Sequence, residues 1–264
     1  YERDNENPEK MRGYARLGST DMAGRVTGMA DYDAGTRLIA SAADGKWYER
    51  AAGDFAASTG ATGYDTGADT RWSFGMFYGA TTAANLLIGC NGINAPQKYT
   101  SGAGASTLGG SPPSTGNYPT PWIGRLILAA GDTIYGSRVN DCEQWGRANG
   151  GFEIQVDRGS GSITGLTTFA GQLIIFKRDR IFRISPSTTL SVSDAVPVHL
   201  RIGTPSHYTV KEAISTKNAS LMFMSDNGVE EMIPTSATGA FFVRSASDRV
   251  KPILDQRKKT AMAT

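Results

Sequence analysis

Cysteine and histidine are scarce, with two of each among 264 residues. Cys90 and Cys142 are too few for a disulfide scaffold or a cysteine-based zinc site, and they read as buried free thiols. His199 and His207 sit in no HExxH pattern and beside no cysteine or carboxylate at metal-ligand spacing, so a structural or surface role is expected for both, with no metal and no cofactor. There is no GxSxG elbow for a serine nucleophile and neither a GxGxxG nor a GK[ST] phosphate loop. Sialidase propellers carry a repeated Asp-box, S-x-D-x-G-x-x-W. The nearest match, Ser225-Asp226-Asn227-Gly228, has the wrong spacing and no following tryptophan. Long apolar runs are also missing, and nothing approaches the roughly 20 residues that a membrane helix needs, so no membrane insertion is expected. A dominant charge is absent too: 27 Lys and Arg stand against 25 Asp and Glu, which neither demands nor forbids a polyanionic partner.

Glycine is what the chain has in excess, 32 of 264 residues against a usual share of roughly 7%. The glycines are scattered among turns, and many turns imply many short strands. "RLILAAGDTIYGSR" (Arg125 to Arg138) reads as two apolar runs folded back across Gly131-Asp132. Similar stretches start at Arg37, Leu86, Gln172 and Leu221. Asp44-Gly45, Asn91-Gly92 and Asn227-Gly228 suit the positive φ angles of tight hairpin turns, Gly131-Asp132 is a reversed version, and Arg178-Asp179 is the weak member. In each unit the first run is nearly continuous in apolar residues, as suits a strand covered on both faces. These five inner strands centre on Ile39, Ile88, Ile127, Ile174 and Met222. The turns are spaced by 47, 40, 47 and 49 residues, the period of β-propeller blades.

The fold expected is therefore all-β, a β-propeller-like array of antiparallel blades. "GRVTGMADYD", "SITGLTTFAG" and "YTVKEAISTK" supply the strand before three of the hairpins. A blade is apolar on both faces and must stack on neighbours, which explains the repetition. A two-layer sandwich that reuses hairpins is the alternative, and the regular spacing argues against it. Trp47, Trp72, Trp122 and Trp145 are expected at blade interfaces or edges. Ser101 to Pro119 has little to pack and reads as an exposed or partner-bound loop. "SASDRVKPILDQRKK" predicts a short C-terminal helix, with Pro252 in its first turn and Val250, Ile253 and Leu254 at helical spacing. The organisation is an N-terminal extension (1–20), blades (21–246), and a short helix with a basic tail (247–264).

Basic residues gather in two places. Lys177, Arg178, Arg180 and Arg183 surround one hairpin tip, where Lys177, Arg178 and Arg180 are candidate contacts to DNA or to another subunit. Six cations and two anions fall between Arg244 and Lys259, which leaves the rest of the chain mildly acidic. No base-stacking aromatics are interleaved with these cations, so no sequence-specific nucleic-acid recognition is expected.

The order of these elements resembles the tail nozzle or tail hub proteins of short-tailed double-stranded DNA bacteriophages. In that family a strand similar to "RLWLAG…VYYS" precedes "DPxxW", then a "GxxITGL" strand and a "LLVFKxxSIxxI" hairpin. Arg125, Tyr135, Ser137, Asp141 and Trp145 occupy the first signature, with Cys142 where the family usually has proline. Ile163 to Leu166 and Leu173 to Lys177 occupy the second. "NGINAPQKYT" is similar to the family's "DGVNPPxxYD", and "SDNGVEEM" with "SASDRVKPIL" to its late motifs. The resemblance spans about Arg25 to Leu254. It implies a structural, non-enzymatic virion protein, made in the host cytoplasm and placed in the phage tail. Its partners would be copies of itself in a hexameric ring, the portal, adaptor and other tail proteins, and DNA passing through the channel during ejection. A glycan-binding or glycan-cleaving propeller is the alternative.

A propeller must close, because an open end exposes an apolar blade face and a sheet edge. Five hairpins are visible and no sixth inner strand follows Gly228. The chain is therefore expected to be part of a longer polypeptide, or to have its ring of blades completed by another chain or by Tyr1 to Thr20. A small five-blade circle sealed by an N-terminal strand is the alternative.

Overall fold

The computed structural model describes residues 22, 24–32, 37–51, 53–60, 62–64, 70–79, 85–187, 194–214, 219–235 and 240–247. They build five four-stranded antiparallel sheets, each made of four consecutive strands. The first blade holds β1 (Val26–Tyr32), β2 (Arg37–Ala42), β3 (Trp47–Arg50) and β4 (Ala56–Ala57). The second holds β5 (Ser73–Phe77), β6 (Leu86–Cys90), β7 (Gln97–Thr100) and β8 (Gly104–Thr107). The third is β9 (Asn117–Trp122), β10 (Arg125–Ala130), β11 (Thr133–Gly136) and β12 (Phe152–Gln155). The fourth is β13 (Ile163–Phe169), β14 (Gln172–Lys177), β15 (Ile181–Ile184) and β16 (Val196–His199), and the fifth is β17 (Lys211–Ile214), β18 (Ala219–Ser225), β19 (Gly228–Pro234) and β20 (Phe241–Ser245). This is a β-propeller array. The expected C-terminal helix lies outside the described residues. Among those described, no helix is long and apolar enough to cross a membrane.

The turns form where the sequence puts them. Gly45, Gly92 and Gly131 adopt φ angles of 76°, 74° and 60°, which an L side chain rarely takes. The Asn91 side chain accepts hydrogen bonds from the backbone N–H groups of Ile93 and Asn94 and so shapes the turn after β6. All five repeated apolar runs are second strands, hydrogen-bonded on both edges. Every residue of β6 and of β14 is buried. Across the first four blades the strands nearest one another are the first ones. One point differs from expectation. Met222 in β18 is only half-buried, because among the described residues no neighbouring sheet covers that face.

The first strands of the first three blades approach backbone to backbone, and a small or ring-closed residue stands third in the first strand of every blade: Gly28, Gly75, Pro119, Gly165 and Ala213. A Cβ on Gly28 would lie 2.5 Å from the Trp72 carbonyl oxygen, and one on Gly75 would lie 2.3 Å from that of Pro119. No larger side chain fits such an approach without moving a neighbouring blade.

Four apolar clusters join the blades. Ile39 and Trp47 meet Trp72, Leu87 and Tyr99 between the first and second. Leu86, Ile88 and Cys90 meet Leu126, Leu128 and Trp145 between the second and third. Trp122, Ile127 and Ile154 meet Leu166, Leu173 and Phe182 between the third and fourth. Ile174 and Phe176 meet Leu221, Phe223 and Met232 between the fourth and fifth. All four tryptophans are thus at blade interfaces. Among the described residues no apolar cluster joins the fifth blade to the first, and Met29 in β1 and Phe242 in β20 are 59% and 57% exposed. The segment 1–20, expected as one means of completing the ring, lies outside the described residues.

Ser101 to Pro119 is not one loop. Gly104–Thr107 is the outer strand β8, Leu108 is buried at the second blade interface, and β9 begins at Asn117. The reason is contact with the first blade: the Ala105 N–H donates to the Thr59 carbonyl at 2.9 Å. Only the residues from Gly109 to Gly116 connect two blades without regular structure.

Candidate functional site

The five residues of the first signature converge on one loop, Ser137 to Gly151, between β11 and β12. Arg125 opens β10 and reaches back, its Nη1 donating to the carbonyls of Ser137 and Gly150, each at 2.6 Å. Its guanidinium carbon lies 5.6 Å from the Phe152 ring centroid, a cation–π contact. Burial lowers the Arg125 pKa from its ordinary value. Ser137 is fully buried, and its Oγ accepts from the Leu126 N–H and donates to the Arg138 carbonyl, both at 3.0 Å. Asp141 Oδ1 accepts from the Glu143 N–H at 3.0 Å and starts an Asx-type turn. Trp145 Nε1 donates to the Cys142 carbonyl at 2.8 Å while its ring enters the interface cluster against which Tyr135 packs.

Cys142, where the family pattern has proline, is buried in the same cluster as Cys90. Burial first, then the carboxylates of Glu143 and Asp141, push its thiol up to about 12, which keeps it a neutral thiol. Both cysteines are free and buried, as the composition implied.

Glu143 fastens this loop to the second blade, and sequence reasoning missed it. Lys98 in β7 donates to both of its carboxylate oxygens, and the Gly109 N–H donates to Oε1 at 2.9 Å. Gly109 and Gly110 lie so close to Glu143 that a Cβ on either would collide with it. The paired glycines before Ser111 were the available signal. Beside the loop lies a cavity of about 570 Å³ with Pro112 and Pro113 on one side and Tyr135, Trp145, Arg147 and Glu153 on the other. One guanidinium and one carboxylate leave its wall without net charge, and the aromatic rings give it an apolar face.

The basic hairpin tip is arranged differently from the sequence expectation. Lys177 is fully buried, and its ammonium donates to the carbonyls of Asp157 and Gly161 and to Ser160 Oγ at 2.8–3.0 Å. All three of its protons are engaged, so it is not available to a phosphate or to another subunit. Burial lowers its pKa, and the carboxylates of Asp157 and Asp132 oppose that shift. Arg180 pairs with Asp157 at 2.6 Å. Arg178 is the exposed member and pairs with Asp226 of the fifth blade at 2.9 Å. The tip looks cationic in sequence, but the 157–161 turn folds over it and supplies oxygen atoms from afar. Among the described residues no group of histidine, cysteine and carboxylate side chains is placed to hold a metal.

No protein-family pattern and no curated protein sequence matches this chain. Among solved structures it is similar to the WD40 domain of SCAP from fission yeast, with 10% identity, a TM-score of 0.44, and coverage of 86% of this chain and 60% of that one. The fission yeast SREBP–SCAP binding-domain complex gives 9% identity, a TM-score of 0.47, and coverage of 86% and 66%. PorZ, a surface component of the type-IX secretion system of Porphyromonas gingivalis, gives 10% identity, a TM-score of 0.46, and coverage of 83% and 32%. The chain thus spans less than two thirds of the length of each of these. The propeller architecture rests on the five sheets themselves.

Proposed function

We propose that this chain is a structural subunit of the tail of a short-tailed bacteriophage, part of a ring, nozzle or hub, around the channel through which DNA is ejected, and that it catalyses no reaction. One observation carries the reading. The residues of the first signature are used to hold a loop against two blades: Arg125, Ser137, Asp141 and Trp145 bond to backbone groups of that same segment. Residues so engaged build shape rather than chemistry. The order of the signatures along the chain supports the family assignment, and Arg125, Tyr135, Ile163 to Leu166 and Leu173 to Lys177 fall on a blade hairpin or its preceding strand.

In this reading copies of the chain close a hexameric ring. A cyclic ring uses two different surfaces of each subunit, so two unlike faces must match. Portal, adaptor and other tail proteins bind above and below, and DNA passes without sequence-specific contacts. A mildly acidic body suits a conduit, because phosphate-binding cations would add salt-dependent drag. The protein is made in the host cytoplasm and resides in the virion.

A second reading, a glycan-binding or glycan-cleaving module, is favoured by the cavity beside Tyr135 and Trp145, whose aromatic wall, with Arg147 and Glu153 also lining it, suits a sugar ring. Mass spectrometry of purified virions tests the first reading. Peptides of this chain at a fixed ratio to the other tail proteins are expected; a protein left wholly in the lysate, with particles free of it, overturns the reading.

A further inference from the structure

The start of β1, the residues before β5 and the start of β17 come together around a second cleft, of about 420 Å³. Three blades contribute a cation each: Arg25 from the first, Arg71 from the second and Lys211 from the fifth. No carboxylate side chain lines it among the described residues. Several cations elsewhere in the molecule are answered by acids. Arg37 pairs with Glu49, Lys98 with Glu143, Arg178 with Asp226 and Arg244 with Glu231. Arg71 and Lys211 have no such ion pair among the described residues. The Arg71 guanidinium instead sits over the Tyr208 ring, 5.6 Å from its centroid.

His207 completes the wall. Its ring packs on Tyr118 with centroids 4.7 Å apart, and its Nδ1 is buried without a hydrogen-bond partner. Burial, followed by the charge of Lys211, lowers its pKa to about 4, so it adds no charge at neutral pH. The cleft therefore gathers charge of one sign from three separate blades. A concave wall of low polarizability concentrates that field toward a soluble anion. Nothing in a purely structural role requires that arrangement, and the like charges of Arg71 and Lys211 on one wall repel each other slightly.

We propose that this cleft, walled by Arg71, Lys211, Tyr208 and His207, binds a phosphate-rich anion. An oligophosphate and the phosphodiester backbone of a nucleic-acid strand share this chemistry. Arg71 offers planar paired donors to phosphate oxygens, and Lys211 a mobile point charge. The site is independent of the tail reading and stands or falls without it.

Isothermal titration of the full chain with inorganic tripolyphosphate at low ionic strength tests the proposal. One saturable site that weakens as salt rises is expected. Affinity should drop at least about tenfold in the Arg71→Gln/Lys211→Gln double variant and by a smaller factor in Lys211→Gln alone, while Arg178→Gln, at an exposed cation elsewhere, leaves it unchanged. An oligothymidine that competes with tripolyphosphate assigns the site to a nucleic-acid strand, and one that does not assigns it to a small oligophosphate. Absence of saturable binding by the wild type, or a double variant that binds as tightly as the wild type, overturns the proposal.

Discussion

Lys98 Nζ lies 2.7 Å from Glu143 Oε1 and 2.8 Å from Oε2, so a strand of the second blade grips the signature loop of the third. Both side chains are about one third exposed, which screens their attraction, but the Gly109 N–H depends on the same carboxylate. Glu143→Ala is expected to lower stability by about 1–2 kcal/mol and Lys98→Ala by less than about 1 kcal/mol, since only the first leaves a backbone donor without its acceptor. Urea unfolding of the two variants checks the order; equal losses would show that the ion pair, not the backbone contact, carries the latch.

Lys177→Met leaves the Asp157 and Gly161 carbonyls and Ser160 Oγ without their donor. A loss of about 3–5 kcal/mol is expected, as for other broken buried polar clusters, whereas Arg178→Ala should fall within about 0.5 kcal/mol of wild type. Thermal unfolding of the pair decides. A lysine that served an external ligand would give the reverse order.

These two neighbouring cations show where sequence reading works and where it stops. The hairpins were legible because their cause is local: an apolar run, a glycine able to take positive φ, and a second strand. The tryptophans at blade interfaces followed from the same pattern. The fate of Lys177 was not legible, because its three acceptors come from a turn about 20 residues earlier, and nothing near Lys177 announces them. Ser101 to Pro119 misled for a related reason. Its small residues suggested a loop, yet smallness is what lets β8 press against Thr59 of the first blade. The third-position residues Gly28, Gly75, Pro119, Gly165 and Ala213 were readable in principle, as a small residue recurring at a fixed place in each first strand.

Gly89→Ala tests how tightly two blades meet. Its Cβ would fall 2.4 Å from the rim of the Trp47 indole, which also contacts Trp72 and Phe74 edge to face. Overpacking there is expected to cost about 1–3 kcal/mol and to change the near-ultraviolet circular dichroism of the tryptophans. An unchanged spectrum and melting temperature would show that the interface yields more easily than its geometry indicates.

His207 makes stability depend on pH. The unfolded chain has the ordinary histidine pKa of 6.5 and the folded protein a value of about 4, so the unfolded state binds the proton more readily. The stabilising difference is fully present above pH 6.5 and is lost as pH falls from there toward 4, by at most about 3 kcal/mol. His207→Asn should flatten the stability profile across that window. Parallel profiles for variant and wild type would place the acid sensitivity elsewhere.

Phe223→Ala removes a buried ring that packs against Phe176, with centroids 5.1 Å apart, at the junction of the fourth and fifth blades. The expected loss is about 3–5 kcal/mol, and hydrogen exchange should rise first in β17 to β20, the blade for which this is the one apolar junction among the described residues. Uniform exchange across all five blades would indicate a single cooperative unit.

Electron cryo-microscopy of the purified full chain tests the ring most directly. The account predicts closed, six-fold symmetric particles in which each propeller presents two unlike faces to its neighbours and the blades surround an open channel wide enough for duplex DNA. Monomeric propellers at every protein concentration, in the presence as well as the absence of the portal and adaptor, would contradict it.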